Sequence, residues 1–447
     1  MLKSLLTALL LASPWAASAA VLGFPGEEAA CVGVYIKDLR NGSIVAAENA
    51  EMAMVPASTL KALTTASALR LLGPEFRFTT EVRLTGSRDG STWTGDLEVC
   101  ASADPSLESA EFESNLGFCD SIVARLGAMN IQRVAGRIRV KAPMQDAGPS
   151  PKWEIEDVAW SYGASLYGFN WRDNIFRLWP ATGRTKPHIP DLKITLRHSP
   201  DGNDLLRGVG SNNLEVWGRN TGNRKWSITS TMPDPQAVFV HELKERLSAA
   251  GIKILGRDIK PSAAGTTSVY THRSPRVAVI MRSLMVRSDN MMADGMLRAV
   301  EPDGTRADAL RKEKALWDSL GVSLRYSAVL DGCGLARANR ISPVALGRVL
   351  ETMASGEYSA DYIGFFPRAG IDGTLKNFMA KTPLRGRLAL KTGSVSAVQC
   401  YAGYLLDDEG QRPTHVVVLM VNAFYCPRAA LREKISDYLI EKLTEKQ

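Results

Sequence analysis

Three short clusters in this 447-residue chain combine residue types that can transfer an acyl group: Ser58-Thr59-Leu60-Lys61, Ser288-Asp289-Asn290 and Lys391-Thr392-Gly393. Each alone recurs by chance in chains of this length, so their joint order carries the information. On a helix, positions i and i+3 share a face, which lets the Lys61 amine reach the Ser58 hydroxyl one turn away. A serine hydroxyl becomes a nucleophile only when a base takes its proton. A free lysine, with a pKa of about 10.4, is protonated at neutral pH and cannot be that base. Lys61 must be shifted down by burial or by a second cation, and Lys391 is the natural second cation.

The other two clusters have matching roles. Ser288 is expected to shuttle a proton to a leaving amine, and Asn290 to hydrogen-bond Lys61 and the substrate amide. The competing reading of these residues is an ordinary cap before a helix over Met291 to Ala299. Lys391, Thr392, Gly393 and Ser394 end a strand-like run from Arg387. There Lys391 and Thr392 are expected to grip a carboxylate, and Gly393 to let a substrate backbone come close. A peptide could pair along that strand by β-augmentation. The Ser58 N–H and a donor from the strand carrying Ser394 are the expected oxyanion hole.

The elements that must position these residues are legible in outline. Val32, Val34 and Ile36 alternate, and Asn41-Gly42 turns the chain into Ser43 to Ala47, a hairpin signature. Thr59 to Leu72 is rich in Ala and Leu and reads as a helix with Ser58 at its edge. Phe76 to Val99 reads as a second hairpin around Arg88-Asp89-Gly90. From there to Ala263 strands mix with short helices, and Asn212 to Asn223 reads as a loop. One echo is visible: Arg125 to Val140 resembles Arg246 to Lys260, each a helix end followed by a strand.

From Pro275 the pattern turns helical, with Val277, Ile280, Met281, Leu284 and Met285 as core positions rather than a cofactor box. Strands follow at Leu388 to Thr392, Val398 to Leu406 and Val416 to Val421. The last helix presents Leu431, Ile435, Leu439 and Leu443 on one face. Its polar face mixes acids with bases, which favours packing on a sheet over lying on a membrane.

Bulk properties narrow the function class. Lys3 precedes the apolar run Leu5 to Ala12 and then Ala17-Ser18-Ala19, which reads as a cleavable export signal over residues 1–19. The mature chain is therefore expected in the periplasm or otherwise exported, with at most peripheral membrane association. A composition of 45% hydrophobic and 23% charged residues is globular, and the net charge of +7 suits an anionic polymer. Basic residues are scattered rather than clustered with aromatics, so no nucleic acid is expected as a partner. The five histidines and six cysteines form no local ligand spacing, so neither metal nor other cofactor is expected. No Gly-x-Ser-x-Gly elbow supports a lipase-like reading.

With the three clusters stand Trp153 to Asn174, containing Glu156-Asp157 and Tyr162-Gly163-Ala164. Asp331-Gly332-Cys333-Gly334-Leu335, Asn339-Arg340-Ile341-Ser342-Pro343 and Gly370-Ile371-Asp372-Gly373-Thr374-Leu375 complete the pattern. Over nearly the whole mature chain this resembles the low-molecular-mass penicillin-binding proteins of the D-Ala-D-Ala carboxypeptidase/endopeptidase family related to penicillin-binding protein 4. The resemblance implies an α/β (α+β) fold: a transpeptidase/β-lactamase-like domain, with an antiparallel sheet flanked by helices. Residues 20–75 and 264–447 would form it, split by a mixed α/β insertion over 76–263 of two subdomains.

The resemblance also implies a serine peptidase that acts on peptidoglycan peptide stems and cross-bridges through an acyl-enzyme and is inhibited by β-lactams. Asp157 occupies the place of an acidic residue that faces the amino end of the substrate's diaminopimelate side chain; an exposed aspartate at a strand end is the alternative. The sequence departs from the family pattern at Cys333, where serine is usual, at Met291-Met292-Ala293-Asp294, and at Ala101 to Pro105, which lacks the usual glycines. In such a sheet the first strand would run beside the strand ending near Cys426, which suggests a Cys31–Cys426 disulfide, with Cys100–Cys119 next. A β-lactamase shares the three motifs but requires a dedicated deacylating base, which no motif names. A non-catalytic wall-binding or antibiotic-sensing module is opposed by the intact Ser58, Lys61 and Lys391.

Overall fold

The protein is described from a computed structural model that covers residues 20–142, 144–259 and 265–444. The expected export signal lies outside the described residues. The central element is a five-stranded sheet in the order 388–395, 398–406, 413–422, 31–38, 44–48. All four pairings are antiparallel. The N-terminal strand sits between the last strand and its own hairpin partner, so both ends of the chain build one sheet. Strand 398–406 is buried at every residue, and 413–422 nearly so. That explains their continuous apolar runs, since a strand covered on both faces has no polar side to alternate.

The two faces have different covers. Ala402, Tyr404, Val416 and Val418 share a core with helices α1 (Leu60–Leu72), α4 (Val277–Arg287), α5 (Asn290–Ala299) and α7 (Pro343–Ala354). Val417, Leu419, Tyr401 and Leu405 pack instead against the last helix, α9 (Arg428–Thr444), through Leu431, Ile435, Leu439 and Leu443. The sheet-packing reading of that helix holds. Met281 and Met285 lie in the first core, as their helical spacing indicated.

Helix α1 is buried nearly all round, including Lys61, Thr64, Thr65 and Ser67. Its polar side chains are satisfied locally: Thr64 Oγ1 donates to Gly332 O at 2.8 Å and Ser67 Oγ to Leu63 O at 2.9 Å. Truncating a fully buried leucine such as Leu63 to alanine costs about 2–5 kcal/mol here. The helix stops at Gly73, whose φ of +76° suits glycine.

Between α1 and α4 lies a separate core. Four small sheets surround α2 (Phe118–Ala128) and α3 (Pro235–Ala249). The second hairpin is folded in two: 79–85 pairs with 97–100, while its tip, 87–89 with 92–94, belongs to another sheet. The corner falls at Gly86 and Gly95, where a Cβ would lie 2.1 Å from Thr94 O and 1.6 Å from Thr85 O. The echoed segments lie side by side, with Arg133-Val134 paired in parallel with Lys253-Ile254 after α2 and α3. The expected loop over 212–223 contains a strand, Asn213–Trp217, because Leu214 and Val216 alternate inward. Strand Thr266–Arg273 pairs with Thr79–Thr85, so this sheet draws on both sides of position 263.

Both expected disulfides are absent, since all six cysteines are free thiols. Cys31 lies opposite Asn422, and Cys426 follows beyond the strand end, so the register puts an asparagine where the bond needed a cysteine.

Candidate active site

Ser58 sits in a 3-10 turn, Ala57–Thr59, wound directly onto α1, which begins one residue later than the sequence pattern indicates. Two glycines press on that turn. A Cβ on Gly334, whose φ is +85°, would lie 1.9 Å from Ala57 O. One on Gly393 would lie 2.5 Å from Pro56 O and 3.2 Å from Ser58 N. The room that Gly393 leaves is thus filled by the protein's own Ser58 turn, where the sequence reading assigned it to a substrate backbone.

Lys61 is fully buried, and its amine has three hydrogen-bond partners. Nζ donates to Ser58 Oγ at 2.9 Å, Asn290 Oδ1 at 2.6 Å and Cys333 O at 2.7 Å. Burial pushes its pKa below the ordinary lysine value, while Cys333, Asp331, Asp289 and Asp294 work in the opposite direction. A neutral amine at this distance can take a hydroxyl proton. Cys333 supplies its carbonyl, while its thiol is pushed well up by burial and stays protonated. The family's usual serine is therefore dispensable at this contact.

The loop holding that carbonyl is organised by buried Asp331. Its carboxylate accepts from Gly334 N, Ala336 N, Asn339 Nδ2 and Trp153 Nε1, all at 2.7–3.0 Å. Asp294, equally buried, accepts from Gly332 N at 2.8 Å.

Ser288 ends α4 in the left-handed region, with φ +63° and ψ +38°. Such strain in a non-glycine residue clusters at functional positions. Its Oγ accepts from Lys391 Nζ at 2.9 Å. The cap that the sequence offered as an alternative exists, but Asp289 makes it, accepting from Met292 N at 2.8 Å. Ser288 and Asn290 are thereby left for other contacts. Asn290 uses both ends of its amide, with Nδ2 donating to Tyr162 O at 2.7 Å.

Lys391 is also fully buried and is pushed well below the ordinary lysine value, by burial first and then by Lys61. It also donates to Thr392 O at 2.9 Å. Thr392 Oγ1 donates to Thr374 Oγ1 at 2.8 Å, and Ser394 Oγ to Gln399 Oε1 at 3.0 Å. Ser58, Ser288, Thr392 and Ser394 line one cleft of about 250 Å³. Strand 388–395 is the sheet's edge, bridged among the described residues only at Ala389 by Arg368.

Asp157 is buried at the end of a short 3-10 turn, Ile155–Asp157, which replaces the exposed strand end offered as its alternative. It accepts from Tyr162 OH at 2.9 Å, and its Oδ2 has no hydrogen-bond partner. Tyr162 thus links Asp157 to Asn290. Sequence reasoning missed Tyr401, Arg428 and Arg432, which also line the cleft. No local spacing marked them, because they come from the sheet's second strand and the last helix. Among the described residues, no cluster of His, Cys, Asp and Glu could hold a metal ion.

The model of the D-Ala-D-Ala carboxypeptidase 3 (S13) family matches residues 18–437, nearly the whole chain. The chain belongs to that family. As an S13 member it is a serine-type D-Ala-D-Ala carboxypeptidase, a hydrolase. It is 24% identical over 435 residues to a D-alanyl-D-alanine carboxypeptidase of Actinomadura sp. (strain R39), covering 89% of this chain and 79% of that one. With D-alanyl-D-alanine carboxypeptidase DacB of Haemophilus influenzae it shares 24% identity over 417 residues, 87% and 85% of the two chains. The crystal structure of penicillin binding protein 4 (dacB) from H. influenzae superposes with a TM-score of 0.80 at 22% identity, covering 95% of this chain and 98% of that one. The H. influenzae protein has also been solved complexed with a β-lactam. The fold implied by the family resemblance, a transpeptidase/β-lactamase-like antiparallel sheet flanked by helices, is the fold observed.

Proposed function

We propose that Ser58 is the nucleophile of this S13 peptidase and Lys61 its general base, acting on peptidoglycan stems that end in D-Ala-D-Ala. The observation that carries this reading is the Lys61 amine, buried, depressed in pKa and 2.9 Å from Ser58 Oγ. Ser58 Oγ attacks the penultimate D-Ala carbonyl as its proton passes to Lys61 Nζ. The tetrahedral oxyanion is held by the Ser58 N–H and by a donor of the strand carrying Ser394; one such donor is worth about 10²- to 10³-fold in rate. When the C–N bond breaks, Ser288, oriented by Lys391, passes its hydroxyl proton to the departing amine and takes in exchange the proton held on Lys61 Nζ, so that Lys61 is neutral again. Water then attacks the acyl-enzyme, with Lys61 again taking a proton, and Ser58 is regenerated. Thr392 and Ser394 receive the substrate along the strand edge beyond Ala389, Gly393 lets the Ser58 turn sit against that strand, and Asp157 meets the diamino acid side chain. The same chemistry serves terminal D-Ala and cross-bridges alike.

We further infer that residues 1–19 are a cleaved export signal and that the enzyme works in the periplasm or another exported compartment. Among the described residues no helix is long and apolar enough to cross a membrane. Both chain ends form the catalytic unit around the five-stranded sheet; the inserted unit begins at 76 and includes strand Thr266–Arg273, because that strand completes its sheet.

Intact-mass spectrometry with benzylpenicillin tests the nucleophile. One penicilloyl adduct on the wild type and none on Ser58→Ala supports the reading, whereas no adduct on either would sink it. Adduct lifetime separates the β-lactamase alternative, which predicts rapid loss and turnover.

A further inference from the structure

The inserted unit carries a second cavity, of about 1050 Å³, that shares no lining residue with the Ser58 cleft. It is bordered by α3 and by the ribbon of strands 175–179 and 184–186, in which Lys186 lies opposite Arg177 and Arg184 opposite Trp179. Side chains alternate along a strand, so these four share one face, while Phe176 and Leu178 on the other face are buried in the core. Arg177, Arg184 and Lys186 are exposed, and none of them makes an ion pair among the described residues. Like charges directly opposite one another on a sheet repel, so the Arg177–Lys186 pair is unfavourable until an anion lies over it. The Arg184 guanidinium rests 3.8 Å from the centre of the Trp179 ring. Held there, it has less freedom to lose on meeting an anion.

The carboxylates of the cavity have partners within the protein. Glu242 accepts from Arg172 at 2.8 Å and from Arg246 at 3.1 Å, and Glu108 accepts from Phe118 N at 2.6 Å. Glu245 lies 3.3 Å from His241 Nε2, and Asp173 is hydrogen-bonded to Ser109. Arg172 and Arg246 are thereby matched by acids, and the uncompensated charge belongs to the three cations of the ribbon. Alternate residues of a strand stand about 7 Å apart, so the ribbon offers a row of charges instead of a single point. A row suits repeated anionic groups on a polymer better than one small anion.

We infer that the Arg177–Trp179–Arg184–Lys186 face is a second wall-binding surface, which holds the carboxylate-bearing peptidoglycan polymer at a place separate from the stem being cut. This rests on the reading of peptidoglycan as the substrate. Guanidinium and ammonium groups pair with the polymer's carboxylates through charge-assisted hydrogen bonds. The chain's net charge of +7 favours the same partner. Retention on an insoluble substrate raises the local concentration of stems at Ser58 without any new contact in the catalytic cleft.

Co-sedimentation with purified peptidoglycan, freed of protein and of phosphate-bearing polymers, tests the surface, using protein with Ser58→Ala so that nothing is digested. Binding should weaken with added salt, and should fall by about 10-fold on peptidoglycan whose carboxylates have been converted to amides, the joint worth of three exposed ion pairs. The triple variant Arg177→Gln/Arg184→Gln/Lys186→Gln should lose affinity by the same factor, Lys186→Gln alone about 2- to 3-fold, and Arg177→Lys, which keeps the charge, should bind as before. With Ser58 intact, the triple variant should cleave a small soluble D-Ala-D-Ala peptide at the wild-type kcat/KM and melt at or above the wild-type temperature, since opposed like charges are gone. Equal sedimentation of the triple variant and its parent, or equal binding to native and amidated polymer, overturns the surface, as does capture by phosphatidylglycerol vesicles without binding to peptidoglycan. If wild type cleaves no peptide and forms no penicilloyl adduct, the Ser58 reading has failed separately, and the sedimentation results still decide the surface.

Discussion

Ser288 Oγ accepts a hydrogen bond from Lys391 Nζ at 2.9 Å, joining residues 103 positions apart. This contact couples the second and third motifs, as the Lys61–Asn290 contact couples the first and second. A relay of buried amines and hydroxyls results, in which every amine is depressed by burial.

The pH dependence of acylation follows from that depression. Lys61 must be neutral to act, so the rate of penicillin acylation should rise with pH through its lowered pKa and level off at a lower pH than an ordinary lysine would allow. Lys61→Arg, permanently charged, should lose about 10²- to 10⁴-fold and the rising limb with it. An unaltered pH profile in Lys61→Arg would rule Lys61 out as the base.

Lys391 illustrates function held against stability. Its folded pKa lies below its unfolded one, so the unfolded state binds more protons and stability rises with pH across that interval. Lys391→Met should therefore melt at or above the wild-type temperature at neutral pH while losing acylation. Denaturant melts beside penicillin acylation rates would check both halves.

Glu313 supplies a second, opposite pH effect. It is buried on α6 (Arg306–Ser319), near Ser67 of α1, and burial raises it from 4.5 to about 7. Between those values the native state keeps a proton that the unfolded state has released, so stability falls as pH rises through the window. Glu313→Gln should flatten the change between pH 5 and pH 8 by about 3 kcal/mol. Asp104 and Asp173, each raised to about 6, add slope of the same sign, so the difference between variant and wild type is the quantity to measure.

Neighbouring residues 289 and 290 should separate cleanly. Asp289→Ala removes the α5 cap and should cost about 1 kcal/mol of stability. Asn290→Ala strips Lys61 of its 2.6 Å partner and should lower acylation by at least about 10²-fold. Equal kinetic losses in the two variants would contradict this division.

Gly393→Ala tests the packing of the nucleophile turn. Its Cβ would meet Pro56 O at 2.5 Å, displacing Ser58 from Lys61. Acylation should fall by about 10²-fold, since small misplacements of reacting groups are that costly. Thermal melting of the same variant shows whether the fold survives.

Much of this protein was determined by local sequence. The Ser58–Lys61 pair follows from helical spacing alone, the Asn41-Gly42 hairpin from turn chemistry, and the apolar face of α9 from its period. The order of the three motifs was enough to indicate the chemistry. Only the tertiary structure decided the rest, because it depends on contacts between distant segments. The depression of Lys61 and Lys391 comes from burial, which no spacing encodes. The division of roles between Ser288, which meets Lys391, and Asp289, which caps α5, turns on one left-handed residue, and the missing Cys31–Cys426 bond on a strand register. Arg432 and Tyr401 reach the cleft from a helix and a strand whose sequences read as ordinary packing, since a side chain's partner across a sheet is set by the fold and not by its neighbours in the chain.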